Sequence, residues 1–163
     1  MMRHFTDTKE RSWSIDVNVD SIEQVKRDTQ FDLLTLASGE TESLARLQND
    51  EMLLVKIIYS LVEDQVKKAE LTEREFFAGI AGDVFDDASE ALLEGLIDFF
   101  PKHRRTLLRA AVEKVSLAQD TAIEKVLDSG VIDKAVETEL RKLDEQLQRS
   151  VESLESPDQA PSP

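Results

Sequence analysis

The chain has 163 residues, with 34 acidic and 20 basic side chains, a formal net charge of -14 and no cysteine. This length fits one domain that buries about 70% of its unfolded surface, and the lack of cysteine excludes disulfides and thiolate metal sites. The negative charge disfavours binding to nucleic acid or to an anionic membrane. No apolar run follows the opening MMRHFTDT, and the run from Met52 to Val62 is too short to span a bilayer. A cytoplasmic location is therefore expected.

The first predicted element is a β-hairpin over residues 3–19. Residues 3–7 form one arm, and DTKER separates it from a second strand in which apolar and polar residues alternate. The apolar residues of this strand are Trp13, Ile15, Val17 and Val19. Because a lone hairpin is marginal in water, we expect the Trp13 face to pack on helices.

Helix starts are indicated by four capping patterns. Capping boxes begin at Asp20 and Thr72, each with a Glu three residues later, and Asp50 and Asp83 are candidate N-caps. Pro101 ends one helix, because the residue before a proline is pushed away from helical angles. QFDLLTL is ambiguous between strand and helix, and the two glycines of GIAGD indicate a close approach or a stop. The predicted helices of a globular core over 1–128 are about 21–29, 43–48, 51–66, 73–81, 84–100 and 104–128.

A last helix is predicted over 131–155, after the break at Ser129-Gly130, and residues 156–163 are predicted to be a disordered tail. The predicted fold class is mainly α with a small N-terminal β-hairpin (α+β), in which a helical bundle covers the hairpin and long helices follow. The last helix carries a narrow apolar seam whose average step is close to the helical period. If the seam packs on the preceding helix, it is part of the core; if it is exposed, it can bind an apolar partner. The sequence leaves both interpretations open. The candidate partner-binding residues are Val136, Leu140, Leu143, Leu147, Val151 and Leu154.

Two charged clusters have an ordinary interpretation beside a functional one. Four acids share part of a helical face and could ligate Mg²⁺ or Ca²⁺, but a solvated face is favoured; they are Asp83, Asp86, Asp87 and Glu90. A basic cluster follows this helix. We favour a structural role for it, in which its side chains pair with Asp98 or Glu94 and contact the end of the preceding helix, over binding of phosphate or nucleic acid. Its members are Lys102, His103, Arg104, Arg105 and Arg109.

No enzymatic signature is present in the sequence. His4 and His103 have no serine nucleophile motif or ligand partner nearby in sequence, and GIAGD lacks the lysine of a phosphate loop. We therefore predict no catalytic residue, no cofactor and no metal site.

Four segments together resemble a known group of proteins: RHFTDTKERSWSIDVNVDSIEQVKR, FDLLTL, NDEMLLVKIIYSLVEDQ and EREFFAGIAGDVFDDASEALLEGLIDFFP. They are similar to tail assembly chaperones of long-tailed phages and of prophage-like tail gene clusters. The resemblance implies a non-enzymatic factor that binds the aggregation-prone tape-measure protein in the host bacterial cytoplasm and helps tail-tube subunits gather around it. It also implies absence from the finished particle and, in some members, a frameshifted longer form. No functional residue of the group is carried over to this chain.

Other function classes remain open on the sequence. One is a structural tail or connector component that uses the hairpin edge for strand addition, and another is an acidic helical protein-interaction adaptor. An enzyme built on the acids from Asp83 to Glu90 is the least favoured, because no convergent partners are displayed. Self-association is a further expectation for the partners of this chain.

Overall fold

The computed structural model describes residues 2–154 and confirms a mainly α fold with a small N-terminal hairpin. Two strands, seven α-helices and one 3-10 helix occur in that part of the chain. They are β1 (Arg3–Thr6), β2 (Ser12–Ile15), α1 (Val19–Thr29), the 3-10 helix (Leu33–Ala37), α2 (Thr41–Asn49), α3 (Glu51–Lys68), α4 (Glu73–Phe77), α5 (Val84–Phe99), α6 (Lys102–Asp128) and α7 (Val131–Leu154).

The hairpin is antiparallel, and Phe5 faces Trp13 in its register. Trp13 is buried and meets the ring of Phe76 edge to face, with centroids 5.1 Å apart. The outer edge of β2 is closed by Gln65 of α3, whose side-chain amide accepts from Ser14 N at 2.9 Å and donates to Ser14 O at 2.7 Å. Since an added strand would use these same backbone groups, the hairpin offers no free edge at Ser14.

A buried carboxylate, that of Asp7, organises the hairpin turn. Its Oδ1 accepts from the backbone N–H groups of Lys9 (2.8 Å) and Arg11 (3.0 Å). Its Oδ2 accepts from Arg11 Nε (2.7 Å) and Trp13 Nε1 (2.9 Å). Burial alone would raise the pKa of Asp7, but these hydrogen bonds together outweigh it and hold the pKa below its ordinary value.

Gly79 brings the end of α4 against this turn. Its carbonyl accepts from Thr8 N at 2.9 Å and from Thr8 Oγ1 at 3.1 Å. A Cβ at Gly79 would lie 2.6 Å from Arg11 Nη2 and 2.8 Å from Asp7 Oδ2, so only glycine fits here without displacement. The close approach predicted for GIAGD is confirmed, and α4 accordingly ends at Phe77 rather than at residue 81.

The first helix begins two residues before its predicted start. Asn18 is the N-cap and shares a capping box with Ser21, so the box predicted for Asp20 and Glu23 is wrong. The strand β2 ends at Ile15, and Val19 starts α1 with an exposed side chain instead of extending the buried strand face. The physical reason is that Asn18 supplies a side-chain acceptor for a helical N–H group, which interrupts the alternating pattern.

The other helix starts show three confirmed signals and one correction. Asp50 caps α3 by accepting from Leu53 N, Thr72 forms the predicted capping box with Glu75, and the chain becomes extended at Phe100 before Pro101. Asp83 precedes α5, but its side chain makes no cap hydrogen bond because its backbone is already helical. The ambiguous QFDLLTL segment folds mostly as the 3-10 helix, which begins at Leu33.

Burial along α6 ends earlier than predicted. Leu108, Ala111 and Val115 are buried, whereas Ala118, Ala122 and Val126, which continue the same helical spacing, are exposed. The chain divides into a first unit, residues 1–117, and a second unit, residues 118–163. The division into a core over 1–128 and a separate last helix stays a prediction, and the described burial on α6 reaches Val115. The predicted tail at 156–163 lies outside the described residues.

We expect Asp7→Asn to lower the free energy of unfolding by about 2–4 kcal/mol, because the buried N–H donor of Trp13 and the partly buried guanidinium of Arg11 lose their charged acceptor. Urea titration followed by the fluorescence of Trp13, the single tryptophan, measures this change. The stabilisation comes from a depressed pKa, so it is present above about pH 4, the ordinary range of an aspartate, and is lost as the pH falls through the folded-state value. Asp64→Asn, at an exposed carboxylate, is the control. Equal stability of the Asp7→Asn and Asp64→Asn variants at pH 7 would contradict the role of Asp7.

We expect Gly79→Ala to destabilise the protein by about 1–3 kcal/mol, because the new methyl group overlaps the Asp7 carboxylate. Thermal melts monitored by circular dichroism measure the effect. The double variant Asp7→Asn/Gly79→Ala should lose less stability than the sum of the losses in the two single variants, because both substitutions act on the contact between Asp7 and residue 79. Simple additivity would show that Gly79 acts elsewhere.

Candidate partner-binding surface

Helix α7 begins where a glycine breaks the path of α6. Ser129 N still donates to Lys125 O, as in a helix, but Gly130 then takes a left-handed φ of 65°. The next helical bond runs from Lys134 N to Gly130 O. Left-handed geometry favours glycine, so the break predicted at Ser129-Gly130 is confirmed and separates two helices.

One face of α7 carries a continuous apolar surface, here called the α7 stripe. Its members recur at steps of three or four residues and are 48–85% exposed. They are Ile132, Val136, Leu140, Leu143, Leu147, Val151 and Leu154. Six of these were predicted from the sequence as partner-binding residues. Ile132 was missed, although its position four residues before Val136 places it on the same face.

Nothing in α7 is buried. The part of α6 within the second unit is also exposed and adds Ile123, Val126 and Leu127 to the uncovered apolar side chains. Within residues 118–154 the seam is not packed on α6, and its binding to an apolar partner stays a prediction. Contiguous exposed apolar surface of this kind marks protein interaction sites.

The charged residues of α7 are sorted around the stripe. Each helical residue advances by about 100°, and within about 90° of the centre of the stripe every charged residue is acidic. These residues are Asp133, Glu137, Glu139 and Asp144. The four basic residues lie more than about 120° away, on the opposite side; they are Lys134, Arg141, Lys142 and Arg149. Lys142 reaches back to pair with Glu139 at 2.9 Å, whereas the other three flanking acids form no ion pair within residues 2–154.

The acidic residues of α5 do not form a metal site. In the described part of the chain no group of three or more His, Asp or Glu side chains is placed to hold a metal ion. Asp87 and Glu90 instead line a groove of about 540 Å³ between α5 and β1, together with Glu94 and Arg3. Asp83, Asp86, Asp87 and Glu90 are all exposed.

Within residues 2–154 the basic cluster at the start of α6 forms no close ion pair with Asp98 or Glu94. Asp98 and Glu94 pair instead with Arg3 of β1, at 2.6 Å and 3.5 Å. The hydrogen bond from Arg3 lowers the pKa of Asp98, and the charge of Arg105 also contributes to the lowered pKa. The predicted contact with the helix end is made by Arg105, whose Nη2 donates to Phe100 O at 3.3 Å. The long-range partner Arg3 was missed because it lies on another element.

The two histidines lie apart. His4 Nδ1 is 2.8 Å from Ser14 Oγ on the exposed surface of the hairpin, a pairing that local sequence did not indicate. In residues 2–154 no carboxylate is hydrogen-bonded to His4, so the third group of a catalytic triad is missing there. His103 lines a separate groove with Leu34 and Leu107.

Comparison of the chain with protein families, curated proteins and solved structures found no match. In residues 2–154 no helix combines the length and hydropathy that crossing a membrane requires.

We expect Leu143→Asp/Leu147→Asp to change the free energy of unfolding by no more than about 0.5 kcal/mol for each substitution, because both side chains are more than half exposed. Chemical unfolding followed by Trp13 fluorescence measures this. The comparison variant Leu92→Asp puts a charge at a fully buried position and should unfold the protein. Unfolding of the α7 variant as well would mean that the stripe is core.

Proposed function

We propose that this chain is a non-enzymatic assembly factor, a phage-type tail assembly chaperone that holds the tape-measure protein in the host bacterial cytoplasm and promotes assembly of tail-tube subunits. The observation that carries the proposal is the α7 stripe, an apolar face about 33 Å long that nothing in residues 118–154 covers. The resemblance of the four quoted segments, the last of which ends at Pro101, to such chaperones supplies the choice of client.

The α7 stripe suits a client that is itself a long helix. Helix-in-groove and helix-on-helix recognition uses apolar residues at steps of three and four, which is the spacing of Val136, Leu140, Leu143 and Leu147. A tape-measure protein held along such a face would have its own apolar surface shielded from aggregation until tail-tube subunits replace the chaperone.

The charge of the chain supports the same role. A formal charge of -14 makes copies of the chain repel one another, and this repulsion opposes the aggregation of a protein that exposes apolar surface. The same negative charge opposes binding to nucleic acid and to anionic membranes, and neither is among the proposed partners. The proposed activity needs no cofactor, since holding and release are binding steps.

Co-expression of the chain with the tape-measure protein of the same gene cluster should raise the soluble fraction of that protein, and the two should co-elute on gel filtration. Leu143→Asp/Leu147→Asp should abolish both effects, because it places two charges inside the apolar contact.

Val131→Asp/Thr138→Asp is the matched control, since it adds the same charge to α7 away from the stripe. It should behave like the wild type. A tape-measure protein that stays insoluble and unbound with the wild-type chain would contradict the proposed function. Equal behaviour of the two variants would contradict the role of the stripe.

A further inference from the structure

The arrangement of charge on α7 restricts what can cover its stripe. Asp133, Glu137 and Asp144 form a row along one side, and none of them pairs with a base within residues 2–154. Glu139 lies on the other side of the stripe, where the side chain of Lys142 reaches it and pairs with it at 2.9 Å. The row of Asp133, Glu137 and Asp144 contains no basic residue, because the backbone positions of the lysines and arginines of α7 lie on the opposite side of the helix.

A second copy of the chain is a poor fit to this surface. When two α7 helices pack in parallel, the row containing Glu137 and Asp144 faces the row containing Glu139 of the other copy. When they pack antiparallel, each row faces itself. Acid meets acid in both orientations, and like charges at these flanking positions oppose pairing.

We propose that α7 recognises a basic amphipathic helix, one whose apolar stripe is flanked by lysine or arginine. Apolar contact supplies the affinity, and pairing of the partner's cations with Asp133, Glu137 and Asp144 selects the partner and its register. This recognition rule rests on the proposed function, and it specifies which segments of a tape-measure protein the chain would hold. A helix of about 22 residues matches the length from Ile132 to Leu154.

The test uses the full chain and three labelled synthetic helices of about 24 residues. Two share one leucine stripe and differ only in having lysine or glutamate at the flanking positions, and the third is a scrambled form of the lysine peptide. Fluorescence anisotropy should show the lysine-flanked helix binding on the order of tenfold more tightly than the glutamate-flanked one at low salt, with the difference shrinking at about 1 M salt. The scrambled peptide reports attraction to the net charge alone and should bind far more weakly.

Two double variants with the same change in net charge locate the effect. Glu137→Lys/Asp144→Lys reverses the flank and should invert the preference between the two helices. Glu145→Lys/Glu152→Lys reverses charges on the opposite face and should leave the preference unchanged. Equal binding of both helices, binding of the scrambled peptide as tightly as the lysine helix, or the same response of both variants would overturn the recognition rule.

Sedimentation of the chain alone tests the competing occupant. A homodimer that Leu147→Asp converts to monomer would show that a second copy covers the stripe, and would overturn the proposal. Co-expression with the tape-measure protein distinguishes a failure of the recognition rule from a failure of the proposed function. If wild-type chain holds that protein and the flank reversal leaves capture intact, the recognition rule fails while the proposed function stands. If the wild type does not hold it, the proposed function fails whatever the peptides do.

Discussion

The first unit depends on one buried carboxylate. Asp7 receives four hydrogen bonds from the hairpin turn and from Trp13, and its position leaves room only for glycine at residue 79. Trp13 is thereby fixed against Phe76, whose ring also contacts Tyr59 of α3 and Phe77 of α4. A short hairpin with little stability of its own is stabilised in this way by packing on the helices, through the contacts of Trp13 and Phe76.

The second unit is built on a different principle. Its helices keep regular backbone hydrogen bonds and an apolar stripe, yet no residue of α7 is buried. Within residues 2–154, Leu140, Leu143 and Leu147 are exposed and add nothing to a core, and the proposed contact with another molecule would give their regular spacing a role. Among the residues that the structure describes, those buried in the core all belong to the first unit, whereas α7 in the second unit contains no buried residue.

Local patterns in the sequence predicted much of this structure. The hairpin, the cap at Asp50, the capping box at Thr72 and the breaks at Pro101 and Gly130 all depend on residues close together in the chain. The errors arose where a distant partner or a competing local signal decides. Asn18, and not Asp20, is the N-cap of α1, and Asp98 pairs with Arg3 of β1 rather than with the basic cluster that follows it in sequence. The stripe was predicted by its spacing, but its exposure was not, because periodicity is the same for a core helix and an uncovered one.

The proposed contact between α7 and the client is open to direct measurement. Hydrogen–deuterium exchange on the full chain, with and without bound tape-measure protein, tests it most directly, because an exposed helix exchanges readily unless a partner covers it. We expect new protection concentrated in the amides of residues 131–154, with little change in residues 2–117. New protection confined to the first unit, with α7 exchanging as it does in the free chain, would contradict it.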